Sequence, residues 1–128
     1  MSEPYRRKRS FYQDVSGSLA NTAFTTSPST LVDQSKKPND TIFVQKIHAN
    51  ITGPASDTWQ VQDSTGINVT DAFSAATAGN IGGMGYDFGP EGIPLVQGAS
   101  LILTLSGLGS SGYLTWEAYS KRVAVVAA

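Results

Sequence analysis

The stretch that decides the fold is residues 41–51, which read TIFVQKIHANI. Side chains of a β-strand point alternately to its two faces, so residues two apart share a face. With that period one face is apolar, and it comprises Phe43, Ile47, Ala49 and Ile51. The other face is more polar and carries Ile42, Val44, Lys46, His48 and Asn50. The alternation predicts a long strand with one face in a protein core.

Shorter strands follow this one along the chain, and turn residues separate them. Thr58–Asp63 alternates with Trp59 and Val61 inward, and Asp63 begins a tight turn, DSTG. Leu101–Leu105 is a continuous apolar run typical of a core strand, and residues 113–121 form a closing strand that alternates again. Roughly six to eight short strands with a turn signal every 8–12 residues predict an all-β fold, an antiparallel β-sandwich or jelly roll.

One segment has helical instead of strand character. Residues 70–79 read TDAFSAATAG, in which Thr70 or Asp71 is suited to cap a helix and Gly79 is suited to end it. A helix of about two turns is not stable alone, so it has to pack through Phe73. The sequence therefore predicts one short helix in an otherwise β structure.

Residues 1–40 differ from the rest in composition and charge. They carry six Lys/Arg and four Asp/Glu, a net charge of +2, whereas residues 41–120 carry one Lys and six acids, a net charge of −5. Neither strand nor helix period persists in them, yet isolated aromatic and aliphatic residues recur, which a solvated tail usually lacks. We predict two parts, an extended N-terminal arm over 1–40 and a β-sandwich body over 41–128. The arm is expected to lie on a surface, its own or a partner's; disorder with incidental aromatics is the alternative.

The residues needed for catalysis are missing. Cysteine is absent and His48 is the single histidine, so one chain cannot supply a thiolate or a multi-histidine metal site. No Gly-x-Ser-x-Gly elbow accompanies His48, which we interpret as an ordinary strand residue. Local structure explains the acids: Asp63 belongs to a turn, Asp71 to a helix cap, and Asp87 and Glu91 to the bend between them. We predict no enzymatic activity, no metal and no cofactor.

Membrane and nucleic-acid roles are also disfavoured. No signal peptide follows the basic run RRKR at 6–9, and the longest apolar runs fall far short of the ~20 residues that span a bilayer. The basic run and its neighbours Tyr5, Phe11 and Tyr12 could contact phosphates and bases, but the acidic body would repel a polyanion. An acidic protein surface is the more suitable target.

The chain closes with KRVAVVAA at 121–128, an apolar and β-prone end. An exposed edge of this kind is sticky, and single domains normally protect it. The segment is expected either to complete its own sheet or to add to a neighbouring chain.

Several stretches together carry a resemblance: the polar arm, the strand at 41–51, the bend DFGPEG at 87–92, GASL at 98–101 and SGYLTWEAY at 111–119. The chain resembles the decoration or cement proteins of tailed bacteriophages, which have a jelly-roll-like body and bind HK97-type capsids. The resemblance implies a structural protein on the capsid surface, made in the host cytoplasm. The implied partners are the major capsid protein and further copies of the chain, as dimers or trimers.

The residues expected to contact the partner combine positive charge with aromatic rings, and they all lie in the arm: Arg6, Arg7, Arg9, Phe11, Tyr12 and Phe24. An arm that orders on docking covers a large surface at an entropic cost of ~1–2 kcal/mol per ordered residue. Deletion of residues 1–40 is then expected to leave the body folded and to abolish attachment.

Two other functions remain open at this point. The same sandwich hosts carbohydrate- or receptor-binding modules, in which Tyr86, Tyr113 and Tyr119 would stack on sugar rings. A head–tail connector subunit would instead assemble into rings. A glycan array and the size of the protein in solution separate these functions from a cement role.

Overall fold

A computed structural model describes residues 12–22, 24–54, 56–74 and 84–122. These ranges contain ten β-strands and no helix. The strands are β1 Tyr12–Asp14, β2 Gly17–Asn21, β3 Ser29–Val32, β4 Asp40–Thr52, β5 Thr58–Asp63, β6 Phe73–Ser74, β7 Met84–Asp87, β8 Ile93–Pro94, β9 Leu101–Leu105 and β10 Ser111–Arg122. All their pairings are antiparallel, which confirms the predicted all-β sandwich.

The strands form two sheets. In the first sheet, the long strands β10 and β4 pair with each other; β1 and β2 lie end to end along the free edge of β10, and β7 and β8 lie end to end along the free edge of β4. The second sheet has the order β3-β9-β5-β6. If each end-to-end pair is counted as one strand, eight strands remain, and in chain order the sheets read 1-8-3-6 and 2-7-4-5. This order is that of a jelly roll, in which two Greek keys wrap into two packed sheets.

The core lies between the sheets and is built from alternating residues of both. Trp59 and Val61 of β5 face inward, as predicted, and Leu114, Trp116 and Ala118 of β10 also face inward. β9 adds Leu101, Leu103 and Leu105. Trp59 is 1% exposed and packs against Phe73, with ring centroids 5.1 Å apart and planes tilted by 42°.

The face assignment of residues 41–51 is correct for one half of the strand and wrong for the other. Ile47, Ala49 and Ile51 are buried as predicted, but Ile42 and Val44 are also fully buried, while Phe43 lies on the outer face. The pairing with β10 shifts between Glu117 and Ala118, so Gln45 is an extra residue on β4. Such a bulge reverses the alternation, because it adds one residue to a pattern of period two.

The predicted helix at 70–79 is wrong where the structure describes it. Phe73–Ser74 forms β6, which pairs with Thr58 and Trp59, and residues 75–79 lie outside the described ranges. Asp71 does not cap a helix; its carboxylate accepts a hydrogen bond from the Tyr86 hydroxyl at 3.0 Å. Pairing with β5 and burial of Phe73 against Trp59 override the weak local helical preference.

The segment before residue 40 contributes to both sheets. Residues of β1 and β2 pair with β10, and β3 pairs with β9. Phe24, between β2 and β3, is 1% exposed, and Val32 is 8% exposed. From residue 12 onward, the predicted arm therefore lies on its own body, whereas residues 1–11 are outside the described ranges. No helix in the described part of the chain is long and apolar enough to cross a membrane.

Candidate functional surface

A groove of 610 Å³ lies on the outer face of the first sheet. Its floor is formed by β4, with β7 on one side and β10 on the other. Two features make this face concave. The bulge at Gln45 bends β4, and Gly85 of β7, opposite His48, contributes no side chain. Bulges are frequent where a sheet re-aims side chains toward a binding surface.

Charged side chains cross the groove in one row. Lys46 on β4 is the register partner of Asp87 on β7 and of Glu117 on β10. All three are exposed, and the one ion pair among the described residues is elsewhere, between Arg122 and Asp40 at 3.5 Å. The charges of Lys46, Asp87 and Glu117 thus remain available to an external polar surface.

A second row lies beside the first and carries His48 and Thr115. His48 is exposed, and its ring centroid lies 6.2 Å from that of Tyr113. His48 is an outward residue of strand β4, as predicted. In the described part of the chain, no group of three or more His, Cys, Asp or Glu residues is placed to hold a metal ion.

The turn at residues 88–92 lies beside the groove, where Gly89 and Pro90 line an adjoining depression. The Asp87 carboxylate accepts a hydrogen bond from the Gly89 amide at 2.9 Å, which confirms that Asp87 stabilises its own bend. The Gln45 side-chain amide donates to the Pro90 carbonyl, and the Tyr119 hydroxyl donates to the Glu91 carbonyl, both at 2.6 Å. The bulge residue therefore also anchors this turn.

An aromatic pair lies beneath this turn. Phe43 and Tyr119 are stacked, with ring centroids 5.1 Å apart and planes within 8° of each other. The Lys121 ammonium lies 5.1 Å from the centre of the Phe43 ring, a cation–π contact. These contacts cover Tyr119, which is only 6% exposed although it points outward.

The tyrosines considered for sugar binding do not form a common platform. Tyr113 is 40% exposed, but Tyr119 lies beneath the turn. Tyr86 packs between Phe73 and Phe88, and burial, together with the Asp71 carboxylate, raises the pKa of its hydroxyl against the opposing effect of the Asp71 amide. Tyr113 is thus the member of this set that could stack on a ligand.

The structure separates the residues predicted to contact a partner. Phe24 lies in the core of its own chain, and its amide donates to the Ser110 carbonyl at 2.8 Å. Tyr12 belongs to β1, where its backbone is the register partner of Lys121. The remaining four, Arg6, Arg7, Arg9 and Phe11, lie outside the described ranges. Their role in binding a partner stays a prediction.

The groove cannot be predicted from the sequence pattern alone, because it depends on the register of three strands. Lys46, Asp87 and Glu117 are far apart in sequence and become neighbours only through pairing. The available signal was the single Lys between residues 41 and 120, placed on an outward position of the longest strand.

The strand pairing defines a jelly-roll protein with a groove on the outer face of its first sheet, and a row of charged side chains crosses this groove. No family model matches the chain, and no curated protein matches it. Similar solved structures include the particle of Macrobrachium rosenbergii extra small virus, at 14% identity and a TM-score of 0.41, covering 89% of this chain and 81% of that one. The capsid of cyanophage Pam1 is similar at 12% identity and a TM-score of 0.45, covering 86% and 83%.

The coat protein dimer of Tobacco streak virus is similar at 14% identity and a TM-score of 0.35, covering 90% of each chain. All three similarities have TM-scores below 0.5, so neither the fold nor the function of this chain is assigned from them. The jelly roll follows from the strand pairing itself.

Proposed function

We propose that the chain is a structural protein of a virus particle, a decoration or cement protein that binds an HK97-type phage capsid. The observation that carries this proposal is the strand order 1-8-3-6 and 2-7-4-5, since jelly rolls are recurrent in virion proteins. Fold alone does not define function, so the surface has to agree with it.

The surface supports attachment to protein more than chemistry on a small substrate. The groove offers both signs of charge beside exposed Tyr113, a composition suited to a polar protein interface. Ile67 and Val96 add exposed apolar side chains, at 57% and 41%. Many copies on a lattice act together, so each single contact can be weak.

The arm has a narrower extent in this proposal than its composition indicates. The strands β1, β2 and β3 already belong to the sheets, so the segment proposed to bind the major capsid protein is 1–11, with Arg6, Arg7, Arg9 and Phe11. Deletion of 1–11 leaves every described strand in place. We expect the shortened protein to unfold at the same temperature as the full chain and to lose attachment to the particle.

Purified particles of the source virus, imaged by electron cryo-microscopy with and without the protein, test this proposal. The expected result is density at repeated symmetry positions outside the shell, which disappears when residues 1–11 are deleted. Absence of the protein from purified particles contradicts the virion role. Full occupancy by the shortened protein contradicts the role of residues 1–11 alone.

A further inference from the structure

A cleft lies at one end of the sandwich. It has a volume of 190 Å³ and opens between the turn that follows β5 and the segment that contains β8. Most of its lining is aliphatic, from Ile67, Val69, Ile93, Leu95 and Val96, and Asp63, Asn68 and Pro94 complete it. Ile67 is 57% exposed and Val96 41% exposed, so these two side chains are accessible at the cleft. Grouped exposed apolar residues mark sites of protein contact.

The last described residues lie at the same end of the molecule. Arg122 pairs with Asp40 across β10 and β4, both in register and through their side chains. The Asp40 carbonyl accepts a hydrogen bond from the Gly98 amide at 2.9 Å, and Gly98 is two residues from Val96. The chain therefore leaves β10 only two strand positions from the cleft.

The residues that come next match the cleft in chemistry. Residues 123–128 read VAVVAA and carry no polar side chain. Extended, six residues span about 20 Å, which is sufficient to reach from one molecule into a neighbour. Branched valine side chains suit a cleft lined by isoleucine, leucine and valine, because burial of each apolar side chain is favourable.

The position of the end of β10 favours a second copy over the same chain. β10 ends at Arg122, opposite Asp40, whereas the cleft lies to the side, beyond β4 and β8. We propose that residues 123–128 of one copy dock in the Ile67–Val96 cleft of another copy. This inference rests on the proposed assembly function and identifies a contact through which copies would be joined.

The absence of cysteine from the chain permits a direct test. Val96→Cys and Val125→Cys are made in separate full-length proteins, which are then mixed and oxidised. We expect a disulfide-linked dimer that contains one of each variant. Leu108→Cys mixed with Val125→Cys is the matched control, since Leu108 is also exposed, at 67% against 41% for Val96, but lies beyond the opposite end of β9.

Two outcomes of this experiment overturn the inference. Equal cross-linking of Val96→Cys and Leu108→Cys means that the contact is not specific. A double variant, Val96→Cys with Val125→Cys, that forms only an internal disulfide means that the segment occupies its own cleft.

Self-association of the unmodified protein supplies a second readout. Val125→Asp and Ile67→Asp are each expected to weaken association at least tenfold in sedimentation, whereas Leu108→Asp is expected to leave it unchanged. Equal association of all four proteins overturns the inference. If purified particles contain the protein but the cross-link does not form, the inference is refuted and the virion role is kept. If the cross-link forms but purified particles do not contain the protein, the virion role is refuted and the contact between copies is kept.

Discussion

At the scale of single residues, Asp63 explains how a tight turn is held at the end of β5. The carboxylate is 1% exposed, and one of its oxygens accepts hydrogen bonds from the Thr65 amide, the Thr65 hydroxyl and the Ile67 amide at 2.6–3.1 Å. Burial acts to raise the pKa of this group, but the hydrogen bonds from Thr65 and Ile67 outweigh burial and hold the pKa below its ordinary value.

Asp63→Asn tests this role through the pH dependence of stability. A carboxyl whose pKa is lowered on folding stabilises the protein above its unfolded pKa of about 3.9, and this contribution is lost as the pH falls through the folded pKa. We expect Asp63→Asn to lower the free energy of unfolding by about 1–3 kcal/mol at pH 7 and to flatten its decline below about pH 4. Urea unfolding at several pH values measures both.

Asp33→Asn is the matched control for this experiment. Asp33 makes the same type of bond, to the Ser35 amide at 2.9 Å, and its pKa is also lowered, but its side chain is exposed. Solvent screens an exposed group, so little change is expected. Equal effects of the two substitutions would contradict a special role of the buried turn.

Gly98 and Gly66 distinguish two effects that favour glycine, a positive φ and a lack of space for a Cβ atom. Both have positive φ, +79° and +95°, where other residues are strained by about 1–2 kcal/mol. A Cβ at Gly98 would lie 2.7 Å from the Pro38 carbonyl oxygen, whereas nothing lies within 4 Å of one at Gly66. We expect Gly98→Ala to lower the thermal unfolding temperature more than Gly66→Ala, and equal shifts would refute the steric argument.

At the scale of secondary-structure elements, the bulge in β4 determines both the core and the groove. It places Ile42 and Val44 inward on one side of Gln45, and Ile47, Ala49 and Ile51 inward on the other. It also turns Phe43 and Lys46 outward, where they meet Tyr119 and Glu117. One additional residue thus supplies the core with five apolar side chains and the groove with its central charge.

Two changes at Gln45 test this interpretation. Deletion of Gln45 restores strict alternation, which moves Ile42 and Val44, or else Ile47, Ala49 and Ile51, out of the core, so we expect no cooperative unfolding transition. Gln45→Ala keeps the bulge and loses only the bond to the Pro90 carbonyl, a change of about 0.5–1.5 kcal/mol. Circular dichroism during heating distinguishes the two, and a folded deletion protein would contradict the role of the bulge.

At the scale of the whole molecule, the boundary between arm and body lies earlier than composition indicates. β1 and β2 cover the edge of β10, β3 covers the edge of β9, and Phe24 and Val32 enter the core. Short strands separated by polar turns do not show a sustained alternation of apolar and polar residues. A segment of this kind therefore has the sequence pattern of an extended arm even when it pairs with the sheets of its own chain.

Deletion series measure this boundary. Removal of residues 1–11 is expected to leave the unfolding temperature unchanged, whereas removal of residues 1–40 takes away three strands and two core residues and is expected to prevent folding. Loss of a buried Phe alone destabilises a protein by about 3–5 kcal/mol. A cooperative transition in the protein that lacks 1–40 would show that the body folds without these strands.

The sequence by itself determined the class of fold, since period-two alternation in β5 and β10 and the turn chemistry of Asp63 and Asp87 depend on neighbours in the chain. The tertiary structure decided what depends on partners distant in sequence: the bulge at Gln45, the conversion of residues 73–74 to strand, and the row of Lys46, Asp87 and Glu117. Strand register is a long-range property, and a shift of one residue exchanges the two faces of a strand. For that reason neither the groove nor the Ile67–Val96 cleft can be predicted without the pairing of the strands.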